Sequence, residues 1–418
     1  MNKLLNITLI LAALTGSAPA MLQARDYEFT VDRYRSPFMG SNLMMSGLSA
    51  YQTMDDLWLP STLGETCAKA VFARGGKLVF EYFLSSWAMV AQHEYFGHGS
   101  RAREFHMYNV SYEINPLHGS TYYSAGTLNA LNINQKAALS AGGMEATSIL
   151  TREMESKILE SDEIDSRQAM LLLVNALDQT TYIFGTSEDE FHADSNNDIA
   201  AYINAVNTWQ GGSPTLNVKK LRHKMLWDLA NPMLYLSLYS LYKYLWEGEM
   251  TTEYSRLFMG NMSFMPTTRT LLAPWGPEFQ LLNHFYNVDE KYFGVYLRTG
   301  HTGGKTSYGT ELHIYPLAQY ENWSLGNRAS VWHQPHILKS STGRNNKSKF
   351  GFGEFLSLNY KFTESVSSVT EVGYKTSGYL PGTPLTKGVV WRVGFKINFD
   401  LKREGCRPDS EPPKSNGC

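Results

Sequence analysis

In Val389-Val390-Trp391-Arg392-Val393-Gly394-Phe395-Lys396-Ile397-Asn398-Phe399, apolar and polar residues alternate. Val389, Trp391, Val393, Phe395, Ile397 and Phe399 share one face, and Arg392, Gly394, Lys396 and Asn398 share the other. Successive side chains of a strand point to opposite faces, so this period of two predicts a strand with one apolar and one polar side. The same pattern recurs upstream at 263–272, 278–287, 291–300, 309–319, 323–335, 350–363 and 366–376, making eight candidate strands with 388–400. In the strand around 352–362, Glu354 and Phe355 interrupt the alternation. Turn signals such as Asn287-Val288-Asp289 and Thr302-Gly303-Gly304 separate the strands. Adjacent amphipathic strands joined as hairpins predict a closed, eight-stranded antiparallel up-and-down β-barrel over residues 261–400. Alternation leaves its polarity open: a membrane barrel turns the apolar face outward, a soluble barrel turns it inward.

Arg392-Val-Gly394-Phe-Lys-Ile397-Asn-Phe399 resembles the C-terminal sorting signal of outer-membrane barrels, in which a polar residue and a glycine precede two apolar residues at alternate positions. That resemblance implies outer-membrane association through the barrel. Here a polar tail, residues 401–418, follows the strand.

Residues 25–255 read differently, as a mainly helical domain. Lys77–His93, Asn134–Glu160 and Ser166–Phe184 carry helical patterns, and Asn109–Ile114 is strand-like. Asn231-Pro232 gives an N-cap with proline at the first helical position, and Gly248 ends that helix. Pro232–Glu247 is apolar nearly all round, but at ~1.5 Å per residue it covers only ~24 Å. With Lys243 inside it, it reads as a buried core helix. The fold class expected is therefore α+β.

At the N-terminus, Lys3, the apolar run Leu4–Leu14 and the small residues Ser17-Ala18-Pro19-Ala20 predict a signal peptide of residues 1–20, cleaved after Ala20. The chain is expected to be exported, to the outer membrane or periplasm. A net charge of −2 argues against nucleic acid as a partner, and 18% charged with 13% aromatic residues suits a protein that meets an apolar phase. Three cysteines, Cys67, Cys406 and Cys418, make neither a disulfide scaffold nor a cysteine zinc site, and their pairing stays open.

The chemistry-bearing motif is His93-Glu94-Tyr95-Phe96-Gly97-His98 at the end of the first strong helix. Two histidines four apart share a helical face, but five steps of about 100° place them roughly 140° apart. Chelation by both requires a bulge. A single π turn absorbs one extra residue, and Gly97 makes the distortion inexpensive. The run resembles the HExxGH motif of the dipeptidyl peptidase III family of zinc peptidases. The resemblance spans about ten residues, and that family's two-lobed architecture does not fit this chain. It implies Zn2+ held by His93 and His98, Glu94 as catalytic base, and a third ligand from a later helix, for which Glu145 stands 47 residues after His98. Glu153 and Glu155 follow on the same helix and read as solvated, with either able to replace Glu145 under a shifted register. His118, Tyr122 and Tyr123 are weak candidate oxyanion donors; His333 and His336 could form a small metal site but read first as a strand that breaks at Pro335, and His313 falls on a strand's polar side.

The function expected is a zinc-dependent hydrolase of the bacterial cell envelope, a peptidase or an enzyme acting on other amides. The alternative is a non-enzymatic outer-membrane barrel protein (pore, adhesin or scaffold) whose helices plug or cap it.

Overall fold

The computed structural model describes residues 25–58, 67–161, 163–187, 197–212, 214–287, 291–337 and 347–399. The signal peptide, the polar tail, Cys406 and Cys418 lie outside the described residues.

The fold is α+β: a helical N-terminal part packed against one large antiparallel sheet. Eight long strands carry the period-two pattern: β7 (Met262–Ala273), β8 (Gly276–Asn287), β9 (Tyr292–Thr302), β10 (Lys305–Tyr320), β11 (Trp323–Pro335), β12 (Ser348–Lys361), β13 (Val366–Lys375) and β14 (Gly388–Phe399). Each pairs with its sequence neighbour. The expected closure is not present. β14 and β7 do not meet; β1 (Arg25–Asp32) lies antiparallel on β14, and the short β6 (Leu257–Met259) lies on β7, giving an open sheet of ten strands. Residues 25–32, assigned from sequence to the helical part, therefore belong to the sheet. Short β2 (Ser111–Ile114) pairs with β3 (Gly119–Tyr122), and β4 (Glu163–Asp165) with β5 (Thr251–Glu253).

The helices are α1 (Pro37–Trp58), α2 (Ala68–Ala91), α3 (Gly99–Glu104), α4 (Ala125–Ala130) and α5 (Ile133–Ser140). They continue as α6 (Gly142–Leu159), α7 (Ser166–Gly185), α8 (Asp198–Trp209), α9 (Val218–Met225) and α10 (Pro232–Glu247). The single helix expected over 134–160 is two, because Ala141 turns the chain between α5 and α6. Local chemistry fixes several starts. Asn132 and Asp165 form capping boxes with Gln135 and Gln168, and Asn231 caps α10, which Gly248 closes in the left-handed region.

The sheet's polar face points inward and its apolar face outward. Helix α6 lies against the polar face, buried on nearly all sides, and offers charges that match it. Arg152 pairs with Glu311 at 3.1 Å and Glu155 with Arg269 at 2.9 Å. Around them Arg298 meets Glu278 at 3.3 Å, and Glu371 accepts from both Arg328 and Arg392. Glu155, expected to be solvated, is fully buried, because each buried charge here must find a partner. Glu153 stays half-buried against Arg152. His313 faces inward onto Glu311 at 2.8 Å. Phe355, one of the two residues that broke the strand pattern, lies inside under the Arg328 guanidinium, 4.0 Å from its ring centroid. Pro232–Glu247 is not the wholly buried helix expected: Tyr235, Leu238, Tyr239, Tyr242 and Trp246 are exposed. Among the described residues, no helix is long and apolar enough to cross a membrane by itself.

Candidate metal centre

Helix α2 does not stop at the motif; it changes pitch. Gln92–His98 form a π-helical turn before α3 resumes the α pitch. A π turn closes its hydrogen bonds five residues apart, so His93 and His98 come onto one face. Their ring centroids are 5.0 Å apart.

Packing holds the turn in place. The Gln92 amide nitrogen donates to the carbonyls of Pro37 and Ala146, each at 2.9 Å, tying it to α1 and α6. Gly97 faces Gly142-Gly143 at the start of α6, where a Cβ on Gly97 would sit 2.6 Å from the Gly142 carbonyl oxygen. Two backbones approach this closely only where side chains are missing.

Each imidazole is oriented through its Nδ1. That of His93 donates to Asp178 Oδ2 at 3.0 Å, and Asp178 also accepts from the Thr147 hydroxyl at 2.8 Å. That of His98 donates to the Leu139 carbonyl at 2.7 Å, a partner that can only accept. Both Nε2 atoms are thereby aimed at Asp198 Oδ2, 3.6 Å from His93 and 3.0 Å from His98. Among the described residues, His93, His98 and Asp198 form a group whose ligating atoms all lie within 4.8 Å of one another. A tetrahedral zinc ion with bonds of 2.0–2.1 Å needs ligand-to-ligand edges of about 3.3 Å, and the two Nε2–Oδ2 distances straddle that value. The donor set fits the metal: two imidazoles in the ligating tautomer, each backed by an acceptor, and one carboxylate.

Electrostatics point the same way. Burial opposes charge on both imidazoles, yet Asp178 and Asp198 raise His93 well above its ordinary range, and Asp198 raises His98. Burial would raise the Asp198 carboxyl, but the two histidines hold it well below the usual carboxylate range. Three carboxylates, Asp178, Asp198 and Glu94, around two buried imidazoles make a field that favours added positive charge. His93 and His98 are buried, whereas the Asp198 side chain is 27% exposed, so the cluster opens to solvent on that edge.

Glu94 is buried beside the cluster, beneath the β2–β3 hairpin, and accepts from the Thr121 hydroxyl at 2.6 Å. The Tyr182 hydroxyl accepts from the Asp198 backbone N–H at 3.2 Å. Of the suggested oxyanion donors, Tyr123 lies where Asp198 and Glu94 act on it; burial and those charges push its hydroxyl up. Tyr122 is half-exposed and donates to Glu113 at 3.1 Å, and His118 lies 3.4 Å from the same carboxylate, both away from the cluster. His333 stacks between Tyr308 and Phe350.

Glu145, the expected third ligand, is elsewhere. Its carboxylate receives Arg101 at 2.7 Å and the Gly382 N–H at 2.7 Å, a buried arrangement that fastens α6 to α3 and to the β13–β14 connection. Asp198, at the first position of α8, stands in the place assigned to it.

No family model matches the chain, and no curated protein matches it. Among solved structures it is similar to one described as "NanC porin structure in rhombohedral crystal form", with 11% identity over 34% of this chain and 75% of that chain and a TM-score of 0.25.

Proposed function

We propose that this chain is a metal-dependent hydrolase of the bacterial cell envelope, of the zinc peptidase kind, with His93, His98 and Asp198 as ligands and Glu94 as general base. The observation that carries the reading is the π turn: it sets two imidazole Nε2 atoms five residues apart against one carboxylate, with both Nδ1 atoms already engaged.

A zinc-type ion held there supplies Lewis acidity toward a water and toward the scissile carbonyl. The rest falls to the chain's own groups. Asp178 and the Leu139 carbonyl keep both histidines in one tautomer and one orientation. Tyr182 braces the start of α8 and so the position of Asp198. Glu94, next in sequence to a ligand and held by Thr121, takes the proton from the attacking water and returns it to the leaving amine. Substrates are peptides or other amides reaching the cluster from the exposed Asp198 edge.

The non-enzymatic alternative draws on the outward apolar face of the sheet. A pore is the weakest form of it, because α6 and the Arg–Glu pairs occupy the space the strands enclose.

The test is elemental analysis of purified protein with activity on a peptide library. About one zinc per chain, lost in His93→Ala/His98→Ala, with Glu94→Gln keeping the metal and losing turnover, is the result expected. A folded wild type that takes up no zinc, or a Glu94→Gln variant of full activity, overturns it.

A further inference from the structure

Helices α2 and α10 are built inside out. On α2, Phe72, Val79, Phe80, Phe83 and Trp87 are exposed, while Arg74, Glu81 and Ser85 on the opposite side are buried. On α10, Tyr235, Leu238, Tyr239, Tyr242 and Trp246 are exposed, and Ser237 and Ser240 are buried. Phe80 is 57% and Leu238 is 51% exposed, against 2% for Glu81 and 0% for Ser240. A helix facing water has the reverse arrangement.

The strands have the same polarity as these helices. Val331 on β11 and Val372 on β13 are exposed, as are Phe352 on β12 and Val393 on β14, while Arg328 and Ser330 on β11 and Lys375 on β13 are buried. The two surfaces are linked through the gap where the sheet stays open. β1 is fastened to α1 by Tyr27 to Thr53 at 2.8 Å and by the Glu28 N–H to Ser46 at 2.8 Å. α1 is fastened to α2 by Asp55 to Lys77 at 2.8 Å, and α2 to the end of α10 by Arg74 to the Leu245 carbonyl at 2.9 Å. The turn Asp228–Ala230 just before α10 is seated on β7, whose Thr270 N–H donates to Asp228 at 2.6 Å. The succession β14, β1, α1, α2, α10, β7 therefore returns to the far side of the sheet, one strand short of its β6 edge.

We infer that α2 and α10 are lipid-facing staves of one mixed wall: they continue, with helices, the wall that the strands leave open, and its apolar outer face on α2, α10 and β11 to β14 meets acyl chains. The same inside-out polarity on two helices and on four strands calls for an apolar phase rather than for one protein partner. The dimensions agree, since α2 and α10 are about 36 and 24 Å long and an outer-membrane barrel's apolar band is about 25 Å tall. Lys243, the cation on the outer half of α10, reaches Glu249 at 2.6 Å beyond the helix end, as a snorkelling side chain does. Glu354 is the exposed carboxylate on the strand face, within 3.4 Å of Asn327 Nδ2. The inference is independent of the metal reading.

The experiment uses the full chain with Cys67, Cys406 and Cys418 changed to serine and single cysteines introduced as Phe80→Cys, Leu238→Cys and Val393→Cys. Each is spin-labelled and reconstituted in phosphatidylethanolamine–phosphatidylglycerol vesicles. Collision with oxygen should exceed collision with a water-soluble nickel chelate several-fold at all three sites. Nickel access at 80 and 238 equal to that of a water-exposed label overturns the inference. So does low access to both reagents there, which means that protein covers the helices, and so does a chain that fails to float with the vesicles.

Discussion

The ring of His93 fills the space that Gly143 leaves empty: a Cβ at 143 would lie 2.1 Å from His93 Nε2. The imidazole cannot retreat, because its Nδ1 is held by Asp178 on the other side. Gly143→Ala should therefore displace the proposed ligand without touching any ligand's chemistry. Zinc affinity, followed by isothermal titration, should fall by about tenfold or more, the range seen when a ligand's supports are disturbed. Overpacking should also cost about 1–3 kcal/mol of stability. Gly47→Ala, where the added Cβ meets nothing within 4 Å, is the control; it should bind zinc normally and be slightly stabilised.

Asp198 and Glu145 compete for the role of third ligand, and their neutral amides separate them. Asp198→Asn should lose zinc while keeping its fold, since Asn197 still caps α8. Glu145→Gln should keep zinc in whatever fraction folds. It should lose about 3–5 kcal/mol, because the buried Arg101 guanidinium would be left without its main countercharge. Zinc content against thermal midpoint for the two variants checks both halves. A Glu145→Gln protein that is stable and metal-free would restore the sequence-based assignment.

These two residues also mark where reading the sequence ends. The π turn was legible as one of two readings, because a five-residue His–His spacing with glycine before the second histidine means either a bulge or no shared site. The eight long strands were legible from alternation, as were the capped start and glycine stop of Pro232–Glu247. Asp198 was not. It lies 100 residues from His98, and an aspartate opening an apolar helix looks like an ordinary response to the helix dipole. Glu145 misled for the converse reason: nothing in the chain's spacing tells which carboxylate Arg101 will take. Closure failed similarly, because it depends on how an edge finds a distant partner; Asp26 meets Asn398 across 372 residues. Period two defines two faces of a strand but not which one turns inward. That choice came from the charges on α6.

Asp178 touches no substrate and, on this reading, no metal; it positions His93. Asp178→Asn keeps an oxygen that can accept from Nδ1 but removes the charge that makes the ring a stronger ligand. Zinc affinity should fall about 10–100-fold with little change in thermal midpoint. A purely structural role would reverse that pattern, lowering the midpoint and leaving affinity intact.

Asp228 gives a pH dependence away from the metal centre. Burial raises its carboxyl to about 6, with Thr270 opposing, from an ordinary value near 3.8. The folded state thus prefers the neutral acid. That preference stabilises the fold fully below about pH 4 and is lost as pH rises through about 6. Above that window the buried charge is a net cost, on the order of 1–3 kcal/mol. Asp228→Asn preserves the acceptor that receives the Thr270 N–H and removes the charge. Its thermal midpoint in detergent should match wild type near pH 4 and exceed it near pH 8. Equal midpoints at both pH values would mean that Asp228 is solvated in the folded protein, and that the turn before α10 is looser on β7 than the 2.6 Å contact implies.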